Sequence, residues 1–287
     1  MFTRQLEIGL IKRLKGEDLF KNELVRDVRA GSVFAAIRNN RVDFYHKGGK
    51  LFSFSKTGFS THIKYATTPA DNTKYYITEQ EFTTSCGSFI KSFVRDYNKI
   101  KVNCELYSKG SESAGVSYLY SKYSFMEKQA DIVVLDIEVS LESNEDGGQD
   151  RIDVLLYSKN TRELKFVEAK LYTNKEIRSE GTPEVIGQIK RYDDQINSRE
   201  GEILNAYKTY VEAINELFEI ELMAPTKILP EAGLYIFEFD DDQRKGNLSN
   251  KVLPKLKGKG IKYYSLGNPV NINIQTLWNT TTKPCNL

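Results

Sequence analysis

Residues 150–172, DRIDVLLYSKNTRELKFVEAKLY, form the stretch from which the fold can be inferred. They read as two apolar β-strands joined by the polar turn KNTR. Asp153 lies inside the first strand, and Glu168 and Lys170 lie inside the second. A charged side chain on a half-buried strand is costly unless it is paired or binds a metal. Strand periodicity places Glu168 and Lys170 on one face, so these three charges need a chemical explanation.

The Glu-x-Lys spacing alone is a weak signal, because the triplet ELK also occurs at residues 163–165. That earlier triplet directly follows the turn, where charged side chains are usually solvated, whereas Glu168 lies deep in the strand. If the two strands are neighbours, Asp153 and Glu168 converge and repel each other unless a divalent cation lies between them. Lys170 would then lie beside the cation, able to hold or activate a water. This arrangement suits phosphodiester hydrolysis.

The composition is that of a globular protein, and it limits the metal chemistry. Hydrophobic residues make up 40% of the 287 residues and charged residues 28%. The three cysteines and two histidines have no CxxC or HxxxH spacing, so a structural zinc site or an iron–sulfur cluster is not expected. Oxygen ligands remain, and these favour Mg²⁺ or Mn²⁺. Without a long apolar run or a signal-peptide pattern, we expect a cytoplasmic protein that does not enter a membrane.

The charge is distributed unevenly along the chain. Residues 1–110 contain 19 Lys and Arg against 11 Asp and Glu, whereas residues 111–287 contain 22 against 28. The polar segment SKGSESAG, residues 108–115, is the expected boundary. We predict a basic N-terminal α+β module over residues 1–110, suited to docking DNA or a partner, and a second domain over residues 111–287 that carries the chemistry.

Hydrophobic periodicity predicts the order of the elements. For the first region the expected elements are short helices in residues 6–28, a β-meander in residues 33–65 and an amphipathic helix over residues 79–99. After residue 112 the predicted order is α-β-β-β-α-(α)-β-β, with strands over residues 130–143, 151–158 and 163–172. One further segment is predicted as a flexible basic loop, with Lys251, Lys255, Lys257, Lys259 and Lys262.

Asp153, fourteen intervening residues and the Glu-x-Lys that begins at Glu168 together resemble the signature of the PD-(D/E)XK superfamily, the restriction-endonuclease-like nucleases. The predicted order of elements is similar to the αβββαβ core of that superfamily. Ile152 stands where the written pattern has Pro, a departure that the superfamily tolerates. The resemblance covers residues 112–245. It implies an α/β fold with a restriction-endonuclease-like αβββαβ core and a mixed central sheet, plus the N-terminal α+β region.

The resemblance also implies roles for individual residues. Asp153 and Glu168 would bind Mg²⁺, with Mn²⁺ able to substitute, and Lys170 would serve the attacking water. Glu138 is the favoured additional acid and metal ligand, because related mismatch-repair-type nucleases place a Glu at a comparable point. Glu127, expected on the preceding helix, is the competing candidate, since many members carry a Glu on the first core helix.

Gln188 and Tyr192 form a Gln-x-x-x-Tyr motif on the helix predicted after Pro183, and this spacing puts both side chains on one helix face. The motif is similar to that of RecB-like DNA-repair nucleases, where it supports the active site and contacts DNA. Many RecB-like exonucleases also carry four cysteines for an iron–sulfur cluster. This chain, with three cysteines, cannot form that cluster.

We therefore interpret the sequence as a Mg²⁺-dependent nuclease that hydrolyses DNA phosphodiester bonds, in phage defence, repair or a mobile element. The alternative is a catalytically inactive protein of the same fold that binds nucleic acid within a larger complex. The expected partner is nucleic acid, with DNA favoured over RNA, and a homo-oligomer or a complex partner is left open. The sequence does not decide between endonuclease and exonuclease activity.

Overall fold

Two β-sheets and the helices around them organise the chain. The structure is a computed structural model, and it describes residues 2–67, 92–143 and 149–282. One sheet has four strands between residues 34 and 60, and the other has six strands between residues 132 and 266. The described ranges therefore have the mixed α/β character that the sequence predicts.

The N-terminal sheet is an antiparallel meander. It follows two short helices, Ile8–Gly16 (α1) and Val25–Arg29 (α2), and a π-helical turn, Phe20–Leu24. Its strands, in spatial order, are Phe34–Arg38 (β1), Arg41–His46 (β2), Gly49–Ser55 (β3) and Gly58–Ser60 (β4). Asn40, Lys47 and Gly48 adopt positive φ in the turns between β1 and β2 and between β2 and β3, which allows tight reversals. The predicted meander is confirmed.

Three helices connect the two sheets: Ile63–Thr67 (α3), Tyr97–Ser108 (α4) and Glu112–Tyr123 (α5). The helix predicted over residues 79–99 lies mostly outside the described residues, and α4 was not predicted. Residues 112–115, predicted to belong to a polar boundary segment, form the first turn of α5 instead. The reason is local, because the Ser111 side chain caps this turn by accepting a hydrogen bond from the backbone N–H of Ala114.

The larger sheet is mixed. Its strands are Ile132–Ser143 (β5), Gln149–Ser158 (β6), Glu163–Leu171 (β7), Lys227–Ile228 (β8), Gly233–Phe237 (β9) and Tyr263–Leu266 (β10). The spatial order is β10-β9-β7-β6-β5, with β8 beside β7. The hairpins β5–β6 and β6–β7 are antiparallel, whereas β9 runs parallel to both β7 and β10. The predicted strands over β5, β6 and β7 are confirmed.

Helices follow β7 and β9. Those after β7 are Lys175–Arg178 (α6), Glu184–Ser198 (α7) and Glu200–Phe218 (α8). Those after β9 are Asp241–Gln243 (α9), the π-helical segment Arg244–Val252 and Leu253–Gly258 (α10). The last described elements, after β10, are a 3₁₀ turn, Pro269–Asn271, and the helix Ile274–Thr282 (α11). The prediction of a flexible loop around Lys251 and Lys255 is therefore wrong. The apolar stripe Leu248, Val252 and Leu256 is buried and holds this segment in helical form.

The two sheets share buried side chains. The buried apolar residues of both regions form one hydrophobic cluster. Asp136 of β5, which is fully buried, accepts hydrogen bonds from Arg38 of β1 and from Tyr207 of α8. The division of the chain at residue 110 stays a prediction. Within residues 2–67, 92–143 and 149–282, no helix combines the length and the apolar composition needed to span a bilayer.

Candidate functional site

Asp153 and Glu168 lie at the same level of adjacent strands, where the β6–β7 ladder ends. The last pair of that ladder joins Val154 to Val167, so the next residues along the two strands, Asp153 and Glu168, stand opposite each other. The Asp153 carboxylate accepts a hydrogen bond from the backbone N–H of Ala169 at 2.8 Å. The Asp153 side chain thus takes the place of the backbone hydrogen bond that would continue the β6–β7 pairing, and this holds its carboxylate beside Glu168.

Glu138 extends the row of carboxylates onto a third strand. The pairs on either side of it are Ile137–Val154 and Val139–Ile152. Glu138 therefore stands opposite Asp153, in a left-handed backbone conformation with φ 54° that is unusual for a non-glycine residue. The Glu138 carboxylate lies 2.7 Å from the guanidinium of Arg151. Glu138, the favoured additional acid, thus lies opposite Asp153 in the row of carboxylates.

Lys170 is surrounded by carboxylates. Its ammonium lies 2.9 Å from Glu168, 2.7 Å from Glu176 and 3.8 Å from Glu112. Burial alone would lower the pKa of Lys170, but the three carboxylates outweigh it and raise the pKa above the usual range. The side chain therefore remains a cation at neutral pH.

The carboxyl groups are held in an environment that disfavours their charge. Burial and the neighbouring Glu168 raise the pKa of Asp153 well above its usual range. Burial also raises the pKa of Glu168, although Lys170 opposes the shift. Burial raises the pKa of Glu138 as well, against the effect of Arg151. Added positive charge at this position would stabilise the ionised carboxylates.

One carboxylate oxygen is open to a further ligand. Glu168 is 2% exposed, and its Oε2 has no hydrogen-bond partner in the part of the chain that the structure describes. A buried carboxylate oxygen without a partner is costly, and a hard cation would satisfy it. The donors are all oxygens, so Asp153, Glu168 and Glu138 fit Mg²⁺ or Mn²⁺ chemically. Among the described residues, however, no group of three or more His, Cys, Asp or Glu is already spaced to hold a metal ion. Lys170 and Arg151 hold two of the three carboxylates in ion pairs instead.

Gln188 and Tyr192 meet as their spacing predicts. The Gln188 amide donates to the Tyr192 hydroxyl at 2.7 Å, and that hydroxyl donates to the backbone carbonyl of Arg151 at 3.0 Å. Burial, together with the charges of Glu168 and Asp153, raises the pKa of Tyr192. The motif thus fixes α7 to the start of β6, two residues before Asp153.

Two acids of the site are absent from the sequence prediction. Glu112, in the first turn of α5, accepts from the backbone N–H of Leu171 at 3.1 Å and from the Asn174 amide at 2.7 Å. Glu176 lies in α6, whose first turn is capped by Asn174. The helix-start signals Ser111-Glu112 and Asn174-x-Glu176 are visible in the sequence. The packing that brings both acids to Lys170 is not.

Glu127 does not belong to the site. It was expected on the preceding helix, but α5 ends at Tyr123, and the Glu127 carbonyl accepts from Lys159, which follows the far end of β6. That end is about 17 Å from Asp153 at the usual rise of a strand. The expectation that Glu127 lies on the helix before β5 is therefore wrong.

The triplet at residues 163–165 also stays outside the site. Glu163 pairs with Lys227 of β8 at 2.6 Å, and the Lys165 ammonium donates to the carbonyl of Glu231. Neither side chain contacts the Lys170 cluster in the described structure.

Compared with known proteins, the chain matches no family model, no curated protein and no solved structure.

Proposed function

We propose that the chain is a metal-dependent nuclease of the PD-(D/E)XK type that hydrolyses DNA phosphodiester bonds. The observation that carries this proposal is the meeting of Asp153, Glu168 and Lys170 at the end of the β6–β7 ladder, with one Glu168 oxygen open to a cation. The order α5-β5-β6-β7-α7-β9, with β9 parallel to β7, supports the restriction-endonuclease-like core expected from the sequence.

In this proposal Asp153 and Glu168 hold the cation, and Glu138 is a third oxygen donor on the neighbouring strand. When bound, Mg²⁺ or Mn²⁺ supplies Lewis acidity toward a phosphate oxygen and makes water a better nucleophile at neutral pH. Lys170 has a raised pKa, which favours electrostatic support over a role as general base. Its ammonium, held by Glu176, would stabilise negative charge that develops on the phosphate.

The basic N-terminal region supports nucleic acid as the substrate class, because phosphate contacts dominate such binding. Preference for DNA over RNA, a homo-oligomeric or complex partner, a cytoplasmic location and a role in defence or repair remain predictions.

The test is cleavage of linear, circular and single-stranded DNA with Mg²⁺, Mn²⁺ or EDTA. We expect cleavage with either cation and none in EDTA. Lys170→Ala should lower the rate at least about 100-fold, as for loss of one oxyanion-stabilising group. Lys227→Ala is the matched control, since it removes an exposed lysine that pairs with Glu163 outside the site. Its rate should equal that of the unmodified chain.

A second pair of variants separates the two Glu-x-Lys triplets. Glu168→Gln should abolish cleavage, whereas Glu163→Gln, the same change on the same strand, should leave it intact. Cleavage by Lys170→Ala at the control rate would contradict the proposal. Metal-independent DNA binding without any cleavage would favour the inactive, nucleic-acid-binding alternative.

A further inference from the structure

A groove lined by basic side chains lies beside the candidate site. One cavity, of about 520 Å³, is lined by residues that include Ile177, Arg178, Lys251 and Lys255. A second, of about 280 Å³, shares Lys255 and is also lined by Pro183 and Lys259. The two cavities lie side by side between residues 177–186 and the segment 247–259, with the Lys255 side chain between them. We call this pair of cavities the α6–α10 groove.

The same short helix connects this groove with the carboxylate cluster. Within α6, Glu176 lies 2.7 Å from the ammonium of Lys170, while the next two residues, Ile177 and Arg178, line the groove. The carboxylate cluster and the groove are therefore connected through α6, within two residues of each other along the chain.

Lys255 connects the two sides of the groove. Its ammonium donates to the backbone carbonyls of Ser179, Glu180 and Gly181, at 3.2, 2.6 and 2.8 Å. Three acceptors use all three donors of an ammonium group, so Lys255 serves to hold residues 179–181 against α10. The groove is thus fixed before any ligand arrives.

Lys251 and Lys259 remain for a ligand. Lys251 lies in the π-helical segment and Lys259 directly follows α10, four residues before and four residues after Lys255, and all three line the two cavities. Both are exposed, and no described carboxylate forms an ion pair with either. Residues 243–262 contain seven Lys and Arg and no Asp or Glu. Glu180 also lines the groove.

The spacing favours an extended polyanion over a single small anion. Six residues of α10 separate Lys251 from Lys259 and alone span about 9 Å along the helix axis, which is too far for both lysines to bind one phosphate. The residues that line the groove include no aromatic side chain within the described chain. A stacking platform, the usual means of holding unpaired bases, is therefore missing there, and the contacts that remain suit the backbone of a duplex.

We infer that the α6–α10 groove binds the phosphate backbone of a nucleic-acid duplex and guides it to the Lys170 site. This inference rests on the proposed function for its substrate. Lys251 and Lys259 make the phosphate contacts, and Glu180 limits their strength. Because phosphates carry no sequence information, this contact is independent of base sequence.

The test measures binding of a fluorescent DNA duplex in EDTA, so that binding is separated from cleavage. The double variant Lys251→Glu/Lys259→Glu should weaken affinity at least about tenfold and reduce the slope of log K against log salt by about 2, one for each phosphate contact. The matched control is Lys128→Glu/Lys208→Glu, which makes the same charge change at exposed positions outside both the groove and the basic N-terminal region. That control should bind within about twofold of the unmodified chain. Glu180→Gln should tighten binding.

The inference would be overturned if the two double variants had the same affinity and the same salt slope, whether both bound like the unmodified chain or both lost affinity equally. A loss confined to single-stranded DNA would overturn the assignment to a duplex. Matching thermal melts establish that both variants are folded. Cleavage with Mg²⁺ is measured separately. Groove-dependent binding without cleavage would contradict only the proposed nuclease activity, and cleavage with unchanged binding would contradict only the groove.

Discussion

At the scale of single residues, the site has more negative than positive charge. Five carboxyl groups lie at the candidate site, those of Glu112, Glu138, Asp153, Glu168 and Glu176. Within the described residues, Lys170 and Arg151 are the cations that form ion pairs with these carboxylates. A purely structural ion-pair set would tend toward equal numbers, because uncompensated buried charge is costly. The excess of acid is what a divalent cation would neutralise.

This excess predicts how stability depends on pH. A carboxyl whose pKa is higher in the folded than in the unfolded chain binds its proton more tightly when folded. Its stabilising contribution is complete below the unfolded pKa and is lost as pH rises through the folded pKa. Asp153 is such a group, since burial and Glu168 raise its pKa. In EDTA, Asp153→Asn should therefore be more stable than the unmodified chain by about 1 kcal/mol near pH 8.

Near pH 4, close to the unfolded pKa of Asp at about 3.9, the difference should disappear. Urea denaturation at both pH values measures this difference in the free energy of unfolding. Glu163→Gln is the control with the opposite sign, because hydrogen bonding to Lys227 lowers the pKa of Glu163. That variant should lose about 0.5 kcal/mol near pH 8. Destabilisation of Asp153→Asn near pH 8 would show that its carboxylate is already well paired.

At the scale of elements, the sequence predicts those whose periodicity is simple. The apolar strands β5 to β7 and the amphipathic α7 were found within a few residues of their observed bounds. In contrast, α4 buries polar residues such as Asn103, which donates to the carbonyl of Tyr65, so its apolar stripe is hidden. The segment 247–259 was misread because its lysines obscure the buried stripe at Leu248 and Val252.

The candidate site follows the same division. The sequence brings Asp153, Glu168 and Lys170 together because hairpin register is a local property. Glu112 and Glu176 reach the site only through packing of α5 and α6, which sequence spacing does not encode. Their absence from the prediction has this physical cause.

The packing of α5 leads to a prediction at this scale. A Cβ added to Gly115 would lie 2.0 Å from a ring carbon of Phe237 in β9. Gly115→Ala should therefore push α5 from the sheet, cost about 1–3 kcal/mol and withdraw Glu112, one turn earlier, from Lys170. We expect both a lower melting temperature and slower cleavage.

Gly187→Ala is the matched control, an exposed glycine in α7 whose added Cβ would meet only Arg191 at 3.8 Å. That change should stabilise the chain by about 0.5–1 kcal/mol, since Ala is the better helix former. An unaltered melting temperature for Gly115→Ala would mean that α5 does not press on β9.

At the scale of the whole molecule, Asp136 connects the two sheets. It accepts from Arg38 of β1 at 2.8 Å, from Arg4 of the N-terminal segment at 3.2 Å and from Tyr207 of α8 at 2.9 Å. These residues lie 71 to 132 positions away from it in the chain. Contacts between residues so far apart in the chain leave no periodic pattern in the sequence. The uneven charge therefore suggested a division at residue 110, whereas the hydrogen bonds of Asp136 that cross it could not be predicted.

Removal of the Asp136 carboxylate tests whether the two regions unfold together. Asp136→Ala removes the nearer of two carboxylates from the buried Arg38 and leaves Asp43 at 3.9 Å, which should cost about 3 kcal/mol. Asp18→Ala is the control, an exposed acid paired with Lys21 whose loss should cost no more than about 0.5 kcal/mol. Urea unfolding is followed by the fluorescence of Trp278, in α11, and by circular dichroism. If the regions share one cooperative core, both probes should shift together in Asp136→Ala. Two separate transitions, one of which is seen by circular dichroism and not by tryptophan fluorescence, would instead show that residues 1–110 fold as an independent domain.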